Sequence, residues 1–311
     1  MAEEQLKITV VVVAYNEEKN IGACLDSLAL LDYPLDRLDI LVVDNDSADR
    51  TREIVREYMA RHPHIRLAVN PVRGIGASRN VGLREARHDF LAFTDADCTA
   101  PPDWLSKLEK AFREARLEDA KVVAAGGSNT APDDANRFRQ AIAVAVRNFW
   151  GNHGSVQGRI TSDRMYVDHL PTLNVLYDRL RIVAEGSFDE KMGNISEDVE
   201  LSYRLRWRGY KLLYVPDAAV RHIWRTDYRS WSRNMMVYGK GRSWLMKKDR
   251  RFFRVMNMAP VGLLLCAVAS PFVAFAPLYL IPVVHAALTA CVSLGACAKA
   301  RRMDLILTVF S

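Results

Sequence analysis

The 311-residue chain carries 43 Lys and Arg against 37 Asp and Glu, a formal net charge of +6, and half of its residues are hydrophobic. A chain of this size buries one large core or two smaller ones, and a mean hydropathy of −0.09 describes a soluble protein on average. The five cysteines (Cys24, Cys98, Cys266, Cys291 and Cys297) are odd in number and lack metal-ligand spacing, which argues against a disulfide framework and against zinc.

Met1 to Lys7 is polar, and the apolar run after it is too short and β-branched for a signal peptide, so the amino-terminal part is expected to stay in the cytoplasm. Ile8 to Val13 is apolar and β-branched. Asn16 then caps a helix in which Ile21, Leu25 and Leu28 recur at helical spacing. The strand–helix unit repeats: Ile40 to Val43 and Thr51 to Met59, Arg66 to Val69 and Gly76 to Ala86, Phe90 to Thr94 and Trp104 to Phe112, then Val122 to Ala125. This alternation predicts an α/β domain with a mostly parallel sheet, helices on both faces and right-handed crossovers, whose ligands sit beyond the carboxyl ends of the strands.

Polar clusters stand at those ends. Strand one runs into Tyr15-Asn16-Glu17, strand two into Asp44-Asn45-Asp46-Ser47, strand three into the Arg73 to Asn80 loop, and strand four into Asp95-Ala96-Asp97. A buried strand rejects two carboxylates unless a cation or hydrogen-bond donors receive them, so Asp95 and Asp97 call for a positive partner. Each cluster alone is weak, because Asx residues favour turns and caps, but four in register make a site. The turn from Arg73 through Gly74 and Gly76 to Arg79 offers amides and guanidiniums to phosphate, or simply starts a helix. It is not a Walker loop, and the first strand-to-helix turn lacks the glycines of a nicotinamide-binding domain.

The succession VVVAYNEE, LVVDNDSADRT, GIGASRNVGL and FTDADC resembles, in order and interval, the nucleotide-sugar half of family 2 glycosyltransferases of the GT-A fold. The resemblance implies donor binding by Tyr15, Glu17, Asp44, Asp46, Arg73, Gly74, Arg79, Asp95 and Asp97, with Glu17 and Asp44 on base and ribose and Asp95 on the ribose side. Asp97, in a DXD motif, would hold Mn²⁺ or Mg²⁺, which take hard oxygen ligands.

Beyond Gly126-Gly127 the alternation fades. Arg137 to Trp150 reads as a helix with Phe138, Ile142, Val146 and Trp150 as a core stripe. Asn174-Val175 resembles the family segment opposite the donor, and His169 reads as a surface histidine. In Ser196-Glu197-Asp198 the acids fit a helix start, where the dipole favours them. The resemblance also gives Glu197 and Asp198 a catalytic part, with Asp198 as general base, and His222 a place near the metal or diphosphate. An acceptor hydroxyl needs such a base, whereas a lipid phosphate, already ionised, does not.

Arg204 to Arg254 holds fifteen Lys and Arg against three acids, while Val255 to Ala298 holds no charged residue. The first stretch, basic with interleaved aromatics, fits an anionic lipid surface better than nucleic acid. The second, broken by Pro271, Pro277 and Pro282, predicts a transmembrane helical hairpin turning near Ala276 to Pro282, with both flanks on the cytoplasmic side. The expected organisation is a catalytic domain over 1–225 (nucleotide-sugar half 1–126, acceptor half 127–225), basic interfacial helices over 226–257, the hairpin over 258–298 and a basic cytoplasmic tail over 299–311. With Leu305 to Phe310 apolar again, a further membrane segment is expected, cut short or missing here. The Gln-x-x-Arg-Trp motif of processive synthases is absent, since Trp231 precedes Arg233 without the Gln.

The reading is an inverting hexosyltransferase at the cell inner membrane, catalytic domain facing the cytoplasm. It moves a sugar from a UDP- or GDP-type donor to a polyprenyl-linked glycan in polysaccharide or glycoconjugate assembly, like the lipid-linked exopolysaccharide transferases. Transfer directly to polyprenyl phosphate is the alternative. A nucleotidyltransferase or a non-catalytic membrane scaffold are alternatives of another class.

Overall fold

Strand β1 (Ile8–Ala14) is buried along its whole length. Its side chains alternate between two cores, as a period of two requires: Val10 and Val12 pack on one face of the sheet with Leu25, Trp104 and Phe112, and Val11 packs on the other with Val81, Phe93 and Leu205. An apolar run with no polar alternation is what a strand covered on both faces must be. The computed structural model describes residues 5–132, 135–146, 156, 162–192, 195–224, 227–253, 255–269, 276–306 and 309. They fall into two units, Met1–Asp133 with Asn152–Trp224, and Asp134–Gly151 with Arg225–Ser311.

The first unit follows the expected alternation: β1, α1 (Ile21–Ala29), β2 (Leu38–Asp44), α2 (Thr51–Arg61), β3 (Ile65–Val69), α3 (Ile75–Glu85), β4 (Phe90–Asp95), β5 (Cys98–Thr99), α4 (Trp104–Glu118), β6 (Val122–Gly126) and β7 (Asn129–Thr130). After α5 (Arg137–Val146), which belongs to the second unit, come β8 (Met165–Tyr166), β9 (Asn174–Asp178), α6 (Arg179–Ala184), α7 (Glu197–Trp207), β10 (Lys211–Tyr214) and β11 (Val220–His222).

The main sheet runs β3-β2-β1-β4-β9-β6-β10-β8. From β3 to β4 every pairing is parallel, and the order reverses at β1, between β2 and β4. That switch point opens a crevice at the carboxyl ends of the strands. Beyond β4 the sheet departs from the expected parallel run, because β9 is inserted antiparallel between β4 and β6. Asn174, at the start of β9, is fully buried. It takes the Trp104 indole N–H at 2.8 Å and donates to the carbonyls of Ser128 and Ala218 at 2.8 and 2.7 Å. The segment expected opposite the donor is thus, at Asn174, a core hydrogen-bond junction. Gly127 is required beside it, since a Cβ there would stand 1.8 Å from the Ala218 oxygen. A second, three-stranded sheet, β5-β11-β7, lies in the same unit.

The second unit holds α5, α8 (Tyr228–Lys248), α9 (Ala259–Ala269) and α10 (Ala276–Lys299). The helix expected inside the acceptor half, α5, groups here because Ala141 and Val144 bury themselves with Cys297 and Leu305. Of its expected core stripe, Trp150 lies outside the described residues. Within the stretch expected to hold basic interfacial helices, 226–257, lies one 21-residue helix, α8, started by Asp227, whose carboxylate accepts the Ser230 N–H at 2.9 Å.

The transmembrane hairpin over 258–298 is not borne out. Among the described residues no helix is long and apolar enough to cross a membrane. Helix α9 is described over 11 residues, Ala259–Ala269. Ala276 to Pro282, the expected turn, lies inside α10, and Tyr279, His285, Thr289 and Ser293 interrupt the apolar character of that helix. Residues 270–275 lie outside the described residues, as do 307, 308, 310 and 311 at the expected further segment.

Candidate active site

Three backbone positions in the left-handed region flank the crevice: Asn16 (φ 54°), Asp46 (φ 61°) and Ser196 (φ 60°), none of them glycine. Each costs on the order of 1–3 kcal/mol and persists only where surrounding bonds over-determine it. Such bonds are present at Asn16. Asn16 N–H donates to Ser47 Oγ at 2.9 Å, Ala48 N–H to Asn16 Oδ1 at 2.8 Å, and Glu17 N–H to Thr51 Oγ1 at 2.8 Å, so the ends of β1 and β2 are laced together.

At this end Asp44 is fully buried. Its Oδ2 accepts the Ser47 N–H at 3.0 Å and lies 3.4 Å from Arg52 Nε, while Oδ1 has no hydrogen-bond partner among the described residues. A buried acceptor left in that state is costly, about 1–3 kcal/mol, and suits a donor N–H or O–H brought by a ligand. Beside it the Arg73 guanidinium lies over the Tyr15 ring, 5.5 Å from its centroid, with Asp46 Oδ2 3.6 Å from Arg73 Nε. Glu17 holds Asn20 Nδ2 at 2.6 Å. The Gly74 N–H, offered by the sequence to phosphate, donates instead to Asn45 Oδ1 at 3.2 Å.

Arg79 is another of the residues expected to bind the donor. It is buried on α3 with its guanidinium in an ion pair with Glu197 and 3.6 Å from Asp95 Oδ1, over the Phe188 ring. There it neutralises two acids, Glu197 and Asp95.

The DXD carboxylates diverge. Burial pushes the Asp95 carboxyl up, Arg79 opposes this and Asp97 adds to it, with smaller influences from His222 and Asp198. Arg79, Asp95, Asp97, Asp198 and His222 thus share one electrostatic neighbourhood. Asp97 Oδ2 lies 3.4 Å from His222 Nε2, because β11 pairs antiparallel with β5 and sets His222 opposite Cys98. His222 Nδ1 is 3.3 Å from Asn129 Nδ2, which directs the other nitrogen toward Asp97. Ligand atoms of Asp97, Cys98 and His222 lie within 4.8 Å of one another, a spacing that suits a metal ion. The Cys98 thiol is pushed well up by burial and by the adjacent acids. The oxygen and nitrogen ligands therefore fit a hard or borderline divalent cation better than the thiol does.

Asp198 stands in the first turn of α7. Its Oδ1 accepts the Val199 N–H at 2.8 Å and its Oδ2 lies 3.2 Å from His169 Nε2. Burial raises this carboxyl, but the charge and hydrogen bond of His169, then Arg79 and the Val199 N–H, outweigh it and hold Asp198 at about 2. His169, expected on the surface, is thus a largely buried partner of the candidate base. Nothing in the lone His of the sequence marked it, because the contact spans 29 positions. Glu200, on the same helix, is tied to Arg204 at 2.9 Å and stays structural.

Residues 9–162 match the family described as Glycosyl transferase family 2. The chain is 21% identical over 266 residues to the dolichyl N-acetyl-alpha-D-glucosaminyl phosphate 3-beta-D-2,3-diacetamido-2,3-dideoxy-beta-D-glucuronosyltransferase of Methanococcus voltae, covering 83% of this chain and 78% of that protein. It is 27% identical to the succinoglycan biosynthesis protein ExoA of Rhizobium meliloti, covering 84% and 78%. Across such relatives it spans 29% to 78% of their own length. The mannosyltransferase PcManGT from Pyrobaculum calidifontis, solved with GDP-Man and Mn²⁺, superposes with a TM-score of 0.66 at 20% identity, covering 98% of this chain and 86% of that one. The chain carries a glycosyl transferase family 2 domain, built on an α/β fold of the GT-A kind.

Proposed function

We propose that this protein is an inverting glycosyltransferase that moves a sugar from a nucleoside diphosphate sugar to a hydroxyl of a membrane-associated, polyprenyl-linked glycan. The observation that carries the reading is that Asp97 faces His222 while Arg79 joins Asp95 to Glu197, the residue next to Asp198, at the carboxyl edge of the sheet. The Tyr15 ring and Arg73 offer a stacking platform for a base, and the unpartnered Asp44 Oδ1 an acceptor for a base or ribose donor. Asp97 and His222 would hold a divalent cation, Mn²⁺ or Mg²⁺, which when bound supplies positive charge to the departing diphosphate.

Asp198 takes the proton of the acceptor hydroxyl as its oxygen bonds to the anomeric carbon. The bond from that carbon to the diphosphate oxygen breaks on the opposite side, its electron pair leaving with the nucleotide, and the configuration inverts. Arg79, by neutralising Glu197 and Asp95, limits the negative charge that the donor's diphosphate must meet.

The acceptor class is supported by the dolichyl phosphate-linked substrate in one relative's name and the succinoglycan role in another's. We further place the protein at the cytoplasmic face of the cell inner membrane. The basic helix α8, with exposed Tyr228, Tyr238 and Trp244, would lie on anionic headgroups.

The test is a thermal-shift panel of UDP-, GDP- and dTDP-sugars with Mn²⁺, followed by transfer of the radiolabelled best donor into the lipid extract of membranes. A stabilising donor raises the melting temperature by mass action and label enters the organic phase with inverted configuration. No stabilisation and no transfer with any donor would remove the proposal.

A further inference from the structure

Three successive residues, Asp168, His169 and Leu170, are tied to one face of α7. Asp168 forms an ion pair with Arg206, the Leu170 N–H reaches Ser202 Oγ at 3.4 Å, and His169 Nε2 reaches Asp198 Oδ2 at 3.2 Å. Asp198, Ser202 and Arg206 are spaced i, i+4 and i+8, so they line a single stripe of the helix. The flanking bonds, with the fully buried Leu170 side chain, already dock the loop. The His169 contact falls on the one stripe residue that stands at the site rather than in the packing.

We propose that His169 is a positioning residue for Asp198, its imidazole fixing the carboxylate in one orientation toward an acceptor hydroxyl. The inference rests on the reading of Asp198 as the base. With the proton on Nε2, His169 donates to Oδ2 while the Val199 N–H occupies Oδ1, and each oxygen keeps an acceptor site for the incoming hydroxyl proton. The Asp198 carboxylate is faced by His169 from the loop before β9, Arg79 from α3, Asp95 from β4 and Tyr177 from β9. On its own helix Glu197 and Glu200 are matched by Arg79 and Arg204. Removing His169 leaves burial as the dominant influence on Asp198, so its protonation moves to higher pH. This device suits an acceptor with a proton to give. An ionised lipid phosphate gains nothing from it.

The full chain is compared with His169→Ala and His169→Gln, the latter keeping an N–H near the Nε2 position; should His169→Ala not fold, His169→Phe replaces it. In the first measurement, with ¹³C-carboxyl aspartate and neither donor nor metal, the Asp198 signal is assigned by its loss in Asp198→Asn and titrated. His169→Ala raises its midpoint by about one pH unit or more, and His169→Gln recovers part of the change. In the second, the pH–rate profile of His169→Ala shows kcat lowered about tenfold or more and its acid limb moved upward. The donor KM stays within about twofold of wild type, because the His169 bond is to Asp198, the candidate base for the acceptor. An unchanged Asp198 midpoint in His169→Ala overturns the inference, and so does an unchanged kcat and acid limb. Wild-type turnover by Asp198→Asn would instead remove the base itself. The titration needs no turnover and keeps the two failures apart.

Discussion

His222 Nε2 stands 3.4 Å from Asp97 Oδ2, brought there by the antiparallel pairing of β11 with β5. Asp97→Ala and His222→Ala are therefore expected to reduce nucleotide affinity in Mn²⁺ by at least about tenfold, with little change in chelator. Isothermal titration with UDP and GDP reads this. Equal affinities in Mn²⁺ for variant and parent would remove both residues from the metal set.

Asp198→Asn preserves shape but cannot accept a proton. It is expected to lower kcat by about 10²- to 10⁴-fold with donor KM near wild type, the signature of an interaction made as the acceptor reacts. Steady-state kinetics with the donor chosen by the thermal-shift panel decides it.

The same carboxylate makes stability depend on acid. Its folded value, about 2, lies below the ordinary aspartate value of 3.8, so the contribution is fully present above roughly pH 4 and is lost as pH falls toward about 2. The difference is on the order of 2 kcal/mol at neutral pH. Urea unfolding between pH 5 and pH 3 (roughly the window above the folded value) is expected to show a shallower acid decline for Asp198→Asn. Parallel declines would assign the acid sensitivity to other groups.

Arg79 is the single cation between Glu197 and Asp95 among the described ion pairs of those acids. Arg79→Met strands Glu197 in the interior and is expected to destabilise the fold by about 3–5 kcal/mol, seen in chemical unfolding. Glu197→Gln in that background should restore part of the loss, since a neutral amide costs less to bury than an unpaired charge. Absence of any rescue would separate the loss from the ion pair.

Gly127 admits no side chain, because its Cβ direction ends 1.8 Å from the Ala218 oxygen. Gly127→Ala is expected to cost about 1–3 kcal/mol or more as β11 and the Asn174 junction are pushed apart. A melting temperature equal to the parent's would contradict the close approach.

The sequence by itself determined the strand–helix alternation from Ile8 to Val122, the register of acidic clusters at strand ends, and the sharp division of charge between the two parts of the chain. These are short-range properties. A buried strand must be continuously apolar, a half-covered helix must repeat its apolar residues near every third or fourth position, and carboxylates at a strand end must leave the core. The tertiary structure alone decided what depends on pairing between distant residues. Such pairing inserted β9 between β4 and β6 and set Arg79 against Glu197 and Asp95. It also drew His169 from the surface onto Asp198 and packed α5 against Cys297 and Leu305. The uncharged run from Val255 to Ala298 shows the boundary between the two. Its hydrophobicity was plain in the residues, but whether it forms spanning helices depends on how long each helix runs before it ends. Among the described residues no helix is both long and apolar enough to cross a membrane, a combination that local composition does not encode.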